Sequence, residues 1–182
     1  AARHSIEPFK VMSEVVNKLG YEKDVSLGID AADTSFYNKE KQHYTVDGTA
    51  MTPVELLSLY EKLIKEMPFI ELEDPFAETD LEGFQSAQEL VNNSESELPV
   101  IVGDDLTVSN GQRIDDAAKA KAISGIILKV NQIGTLTEAL SAATTARSHN
   151  LKVIVSHRSG ETEDAFISHL AWGIGAWGIK AG

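Results

Sequence analysis

The chain has 182 residues, 42% of them hydrophobic, and carries 16 Lys+Arg against 28 Asp+Glu for a net charge of −12. That length suits one domain or a large piece of one, the apolar content excludes a disordered tail, and the acidity argues against a nucleic-acid or anionic-membrane surface as the main partner. Absence of Cys excludes a disulfide framework and a thiolate metal site, which fits a reducing, cytoplasmic setting.

Taken from the N-terminus, the first residues lack the apolar core of a signal peptide. Ile6, Phe9, Met12, Val15, Val16 and Leu19 recur every three or four residues and Gly20 ends the pattern, so a helix is predicted over 7–19. Residues 25–29 read as a strand ending at Asp30, and the polar run 36–48 as a small hairpin. Thr52-Pro53-Val54-Glu55 is a capping box with Pro at the first helical position, and Leu56, Leu57, Tyr60, Leu63 and Ile64 form the apolar stripe behind it.

The alternation then repeats. A strand over 69–72 ends at Glu73, and Thr79-Asp80-Leu81-Glu82 opens a helix. A strand over 99–102 ends at Gly103-Asp104-Asp105, with a helix near 111–121. A strand over 125–128 ends at Lys129, and Thr135-Leu136-Thr137-Glu138 caps the next helix. A strand over 152–155 runs into Ser156-His157-Arg158-Ser159, a helix follows near 162–171, and a last strand near 177–179 ends at Lys180. No apolar run approaches the ~20 residues of a membrane span.

Strict βαβα order implies parallel strands with crossover helices, in an open doubly wound sheet or a (β/α)8 barrel. The residues closing the strands, at 30, 73, 104, 129, 157 and 180, define five intervals averaging 30 residues, close to the roughly 31 per unit of an eight-unit barrel. No Gly-x-Gly-x-x-Gly follows the first strand, which weakens a dinucleotide site. The expected fold is therefore a TIM-barrel-type α/β domain over 1–182, with about six of the eight strands.

Each strand closes on an ionisable residue: Asp30, Glu73, Asp104, Lys129, His157 and Lys180. A charge at the start of a solvated loop is ordinary, but barrel strand ends converge on one mouth, where active sites sit. Three carboxylates from three strands suit a hard cation such as Mg²⁺, which would let an acidic protein hold an anionic substrate. Lys129 follows Ile126-Ile127-Leu128 into a crowded mouth beside a second cation, Lys180, a setting that suits either a lysine base or a structural ion pair. Ser156, His157, Arg158 and Ser159 together form an anion clamp, while hydrolysis by a Ser-His-acid set is disfavoured by the lack of a Gly-x-Ser-x-Gly elbow. His4, His43, His149 and His169 lack ligand spacing, Trp172 and Trp177 read as packing residues, and Asp115, Asp116 and the acids of 161–164 suit helix N-termini.

Ile70-Glu71-Leu72-Glu73-Asp74-Pro75-Phe76, Val102-Gly103-Asp104-Asp105-Leu106-Thr107-Val108, Leu128-Lys129-Val130-Asn131-Gln132-Ile133-Gly134 and the run from Val155 through Ser156-His157-Arg158-Ser159-Gly160 to Asp164 resemble, in order and spacing, the barrel of enolase. The resemblance covers residues from about 5 to Gly182. It implies Mg²⁺-dependent reversible dehydration of 2-phosphoglycerate to phosphoenolpyruvate, a step of glycolysis. Asp30, Glu73 and Asp104 match the metal ligands, with Glu73 and Asp104 also facing substrate. Lys129 matches the base, and Lys180 the lysine holding the substrate carboxylate. Ser156, His157, Arg158 and Ser159 match the substrate loop, with Arg158 and Ser159 on the phosphate side.

An enolase also has an N-terminal domain and two earlier barrel strands carrying a glutamate acid, a histidine and a second glutamate, none of which matches a segment here. A domain fragment is the expected account, ahead of a split subunit or a degenerate paralogue. The expected protein partners are a second copy or a complementing enolase segment. The alternatives are a non-catalytic enolase-derived binding or assembly module, and another Mg²⁺-dependent lyase of the superfamily.

Overall fold

The computed structural model describes residues 4–94 and 99–182. Its elements in chain order are α1 (Glu7–Leu19), β1 (Leu27–Asp30), a 3-10 turn (Asp33–Phe36), β2 (Tyr37–Asn38), β3 (His43–Val46), β4 (Thr49–Met51), α2 (Pro53–Glu66), β5 (Phe69–Glu73), α3 (Leu81–Asn92), β6 (Val100–Gly103), α4 (Gly111–Lys119), β7 (Gly125–Leu128), α5 (Val130–Ile133), α6 (Leu136–Ser148), β8 (Lys152–Ser156), α7 (Phe166–Gly173) and β9 (Gly178–Lys180). Strands β1-β5-β6-β7-β8-β9 form one parallel sheet in that order, and β2-β3-β4 form a separate antiparallel meander where the hairpin was expected.

The large sheet is curled. Laid flat, its five strand-to-strand steps would separate β1 from β9 by about 24 Å, yet the Lys180 ammonium on β9 donates to Asp30 Oδ2 on β1 at 2.8 Å. The sheet is thus an incomplete barrel of six parallel strands with helices packed outside, the α/β fold the spacing predicts. Strand alternation sorts its two faces. Leu72, Ile101, Ile126, Leu128, Val153 and Val155 face the helices in one continuous core. Val100, Val102, Ile127 and Ile154 form a second apolar cluster. Gly125 is required there, since a Cβ would stand 2.8 Å from Val100 Cγ1.

Helix starts follow local chemistry. Thr52 and Glu55 complete the reciprocal capping box of α2, and Asp80, Asn110 and Thr135 cap α3, α4 and α6 through their side chains. Three expectations need correction. The helix expected over 162–171 begins only at Phe166, because Arg158 and Glu161 close a turn on each other and the Asp164 carboxylate accepts the Phe166 N–H at 2.7 Å. Asp115 and Asp116 lie inside α4 rather than at its start, which Asn110 caps; Asp115 instead pairs with Lys119 and His149. Trp172 does not pack, being 90% exposed on α7. The α1 stripe is only half covered: Phe9 stacks edge-on against Phe69, while Met12, Val15 and Leu19 remain exposed.

Candidate active site

Register carries the strand-end residues to one rim. Asp30 lies beside Glu73, Glu73 beside Val102 two residues before Asp104, and Ser156 beside Lys180. Asp104 follows the parity of Val100 and Val102, Lys129 that of Ile127, and Ser156 that of Ile154, so these side chains continue the face of the second apolar cluster.

Two lysines organise the carboxylates. Lys180 Nζ donates to Asp30 Oδ2 and Glu73 Oε2, both at 2.8 Å. Lys129 Nζ donates to Asp104 Oδ2. Glu73 and Asp104 are buried, at 1% and 7% exposure, whereas Asp30 is exposed. Burial pushes the Glu73 carboxyl up to about 8, against the lowering effect of Lys180. Burial opposes the charge on Lys180 in turn, but its bonds to Asp30 and Glu73 outweigh that and hold its pKa above the ordinary lysine value. Burial also raises Glu71, which shares the Glu73 face of β5.

Among the described residues, Glu73 Oε1 and Asp104 Oδ1 are buried without a hydrogen-bond partner. A buried carboxyl oxygen left unpaired is costly, and oxygens of this kind could serve as ligands to a hard cation. The carboxyls that crowd most closely are not the expected trio. Asp74, Asp104 and Asp105 bring one oxygen each within 4.8 Å of one another, while Asp30 and Glu73 are drawn onto Lys180. Asp104 belongs to both sets.

The loop after β8 lies on the same rim. Ser156 Oγ donates to the His157 carbonyl, the His157 N–H donates to the Lys180 carbonyl, and His157 Nδ1 is buried and unpartnered among the described residues. Arg158 Nη1 donates to Asn131 Oδ1 at 3.4 Å, tying this loop to α5, and Ser159 is exposed. Sequence reasoning missed Ser109. Fully buried, it accepts the Lys129 N–H at 2.9 Å and donates to Gln132 Oε1 at 2.8 Å. Only its place directly after the Val102–Val108 run hinted at a role.

A parallel α/β sheet of barrel type, with acids, two lysines and an Arg-bearing loop at its strand ends, defines the class of a barrel-type α/β domain with a charged rim. Comparison narrows it: the family described as "Enolase, C-terminal TIM barrel domain" matches residues 3–182. Enolases of Aeropyrum pernix, Methanocaldococcus jannaschii and Methanopyrus kandleri are 45%, 43% and 40% identical, over 99%, 98% and 99% of this chain. The chain spans 41%, 40% and 42% of their lengths, respectively. It belongs to the enolase family. Among the described residues no helix is long and apolar enough to cross a membrane.

Proposed function

We propose that this chain carries the metal- and base-bearing part of an enolase, acting in the reversible dehydration of 2-phosphoglycerate to phosphoenolpyruvate. The observation that carries the reading is the convergence of Asp30, Glu73, Asp104, Lys129 and Lys180 from five strand ends on one rim. Asp30, Glu73 and Asp104 would hold Mg²⁺, for which the unpartnered Glu73 and Asp104 oxygens are suited. When bound, that ion supplies the positive charge that makes a proton α to a carboxylate acidic enough to remove.

Lys129 is the base for that proton, its backbone fixed through Ser109 and its side chain only 16% exposed. Lys180 holds the substrate carboxylate, through the ammonium that donates to Asp30 and Glu73 in this structure. Arg158 and Ser159 take the phosphate, with Ser156 and His157 lining the approach. A planar guanidinium matches phosphate oxygens in pairs, which a lysine cannot.

The test is phosphoenolpyruvate formation from 2-phosphoglycerate with Mg²⁺, by the chain alone and with an added enolase N-terminal segment. Turnover is expected in the complemented sample and is expected to fall at least ~100-fold in Lys129→Ala, the scale of a lost general base. Absence of turnover in both samples, with cation binding retained, would replace this reading with that of a non-catalytic enolase-derived module. Turnover unaffected by Lys129→Ala would remove Lys129 from the chemistry.

A further inference from the structure

Asp74 follows Glu73 directly, so strand alternation alone would turn it away from the rim. It is instead buried at 3% exposure and holds a left-handed backbone, φ 41°, a conformation that Asp tolerates better than most residues. Its N–H donates to the Val102 carbonyl at 2.9 Å, continuing the β5–β6 pairing one residue past the strand end. Its two carboxylate oxygens then accept separate backbone donors on the neighbouring strand end: Oδ1 takes the Asp104 N–H at 2.9 Å and Oδ2 the Asp105 N–H at 2.8 Å. Its carbonyl accepts the Asp33 N–H at 3.3 Å, just beyond β1.

The Asp104 backbone is therefore gripped from both directions. Its N–H is held by Asp74, and its carbonyl accepts the N–H groups of Thr107 and Val108 at 3.1 and 2.7 Å. Asp74 could be counted a ligand by proximity, since its carboxylate lies within 4.8 Å of those of Asp104 and Asp105. Against that, both of its oxygens are engaged by amides whose positions the sheet fixes, and an oxygen accepting an N–H is a weaker donor to a cation. Among the described residues, the buried carboxylate oxygen without a partner at this strand end is Asp104 Oδ1.

We infer that Asp74 is a positioning residue: it clamps the Asp104–Asp105 turn to the end of β5 and so fixes the separation between Glu73 and Asp104 at the cation site. The inference rests on the metal reading given under Proposed function. Outer-shell partners of this kind typically cost 10–100-fold in metal affinity or activity when lost.

The experiment is direct Mn²⁺ binding, by electron paramagnetic resonance and calorimetry, to the unsubstituted chain and to Asp74→Asn, Asp74→Glu and Asp104→Asn. Asn keeps one acceptor and turns an NH₂ toward the other amide, so Asp74→Asn should bind about 10–100-fold more weakly while its circular dichroism stays native. Asp74→Glu keeps the charge but lengthens the reach, and should fail to restore affinity. Full restoration by Glu would overturn positioning in favour of a simple charge effect, and equal binding by Asp74→Asn would overturn it outright. Loss of all binding in Asp74→Asn, matching Asp104→Asn, would make Asp74 a ligand instead.

If Asp74→Asn does not fold, amide exchange on the unsubstituted chain decides: the Asp104 and Asp105 N–H groups should be protected before any cation is added. Protection that appears only with Mn²⁺ would overturn the inference. An unsubstituted chain that binds no Mn²⁺ would sink the metal reading itself, whereas binding that Asp74→Asn leaves intact sinks this inference alone.

Discussion

Asp33 shows how much a single buried carboxyl can govern. It is 2% exposed, accepts the Tyr60 hydroxyl at 2.6 Å, and burial raises its pKa from 3.8 to about 7, with the Asp74 charge adding to the rise. A raised carboxyl binds more protons folded than unfolded, so its contribution to stability is complete below 3.8 and is lost as pH climbs toward about 7. Asp33→Asn keeps an acceptor for Tyr60 without the titration. The two proteins should unfold at similar urea concentrations near the ordinary carboxyl pKa, and the variant should be the more stable one near neutrality. A wild-type advantage that grows with pH would contradict this. The same scale shows what sequence could reveal. Asp30, Glu73, Asp104, Lys129 and Lys180 were legible because each ends an apolar run. Asp74 and Ser109 were not, since both act through backbone groups of residues 20 to 31 positions away and depend on left-handed turns that composition does not announce.

At the scale of elements, local rules and tertiary contact sometimes disagree, and α3 provides a measurable case. Helix propensity favours Ala over Gly by about 1 kcal/mol, so sequence alone recommends Gly83→Ala. The structure argues the reverse. A Cβ there would fall 2.5 Å from two carbons of the Phe76 ring, and Phe76 is fully buried between Tyr44, Tyr60 and Phe84. Overpacking of that kind costs about 1–3 kcal/mol, so Gly83→Ala should lower the melting temperature, and a rise would show that the aromatic cluster can yield. The same competition explains which elements were readable. The α2 box was visible because it is written in four consecutive residues. The late start of α7 was not, because the turn joining Arg158 and Glu161 and the Asp164 cap compete with a helical pattern that by itself favours an earlier start.

For the whole molecule, the six-strand count follows from regular spacing, but the shape of the sheet edges follows from packing. The middle strands β6 and β7 are buried at every position, while β1 alternates and β9 has no buried residue. Among the described residues β1 and β9 are the edges of the sheet, with exposed apolar side chains close by: Val11, Met12 and Val15 of α1 near β1, and Trp177 and Ile179 at β9. Lys180 joins the two edges through Asp30 with an ion pair whose partners are 33% and 43% exposed, a bond that is modest in stability at that exposure. Protection should therefore be graded across the sheet rather than uniform. In native-state hydrogen exchange, amides of Ile101, Val102, Ile126 and Ile127 should open only with global unfolding, and those of β1 and β9 through cheaper local fraying. High salt should widen that gap by screening the Lys180–Asp30 pair. Equal protection of β9 and β7 would mean that the rim ion pairs lock the two edges as firmly as a backbone ladder does.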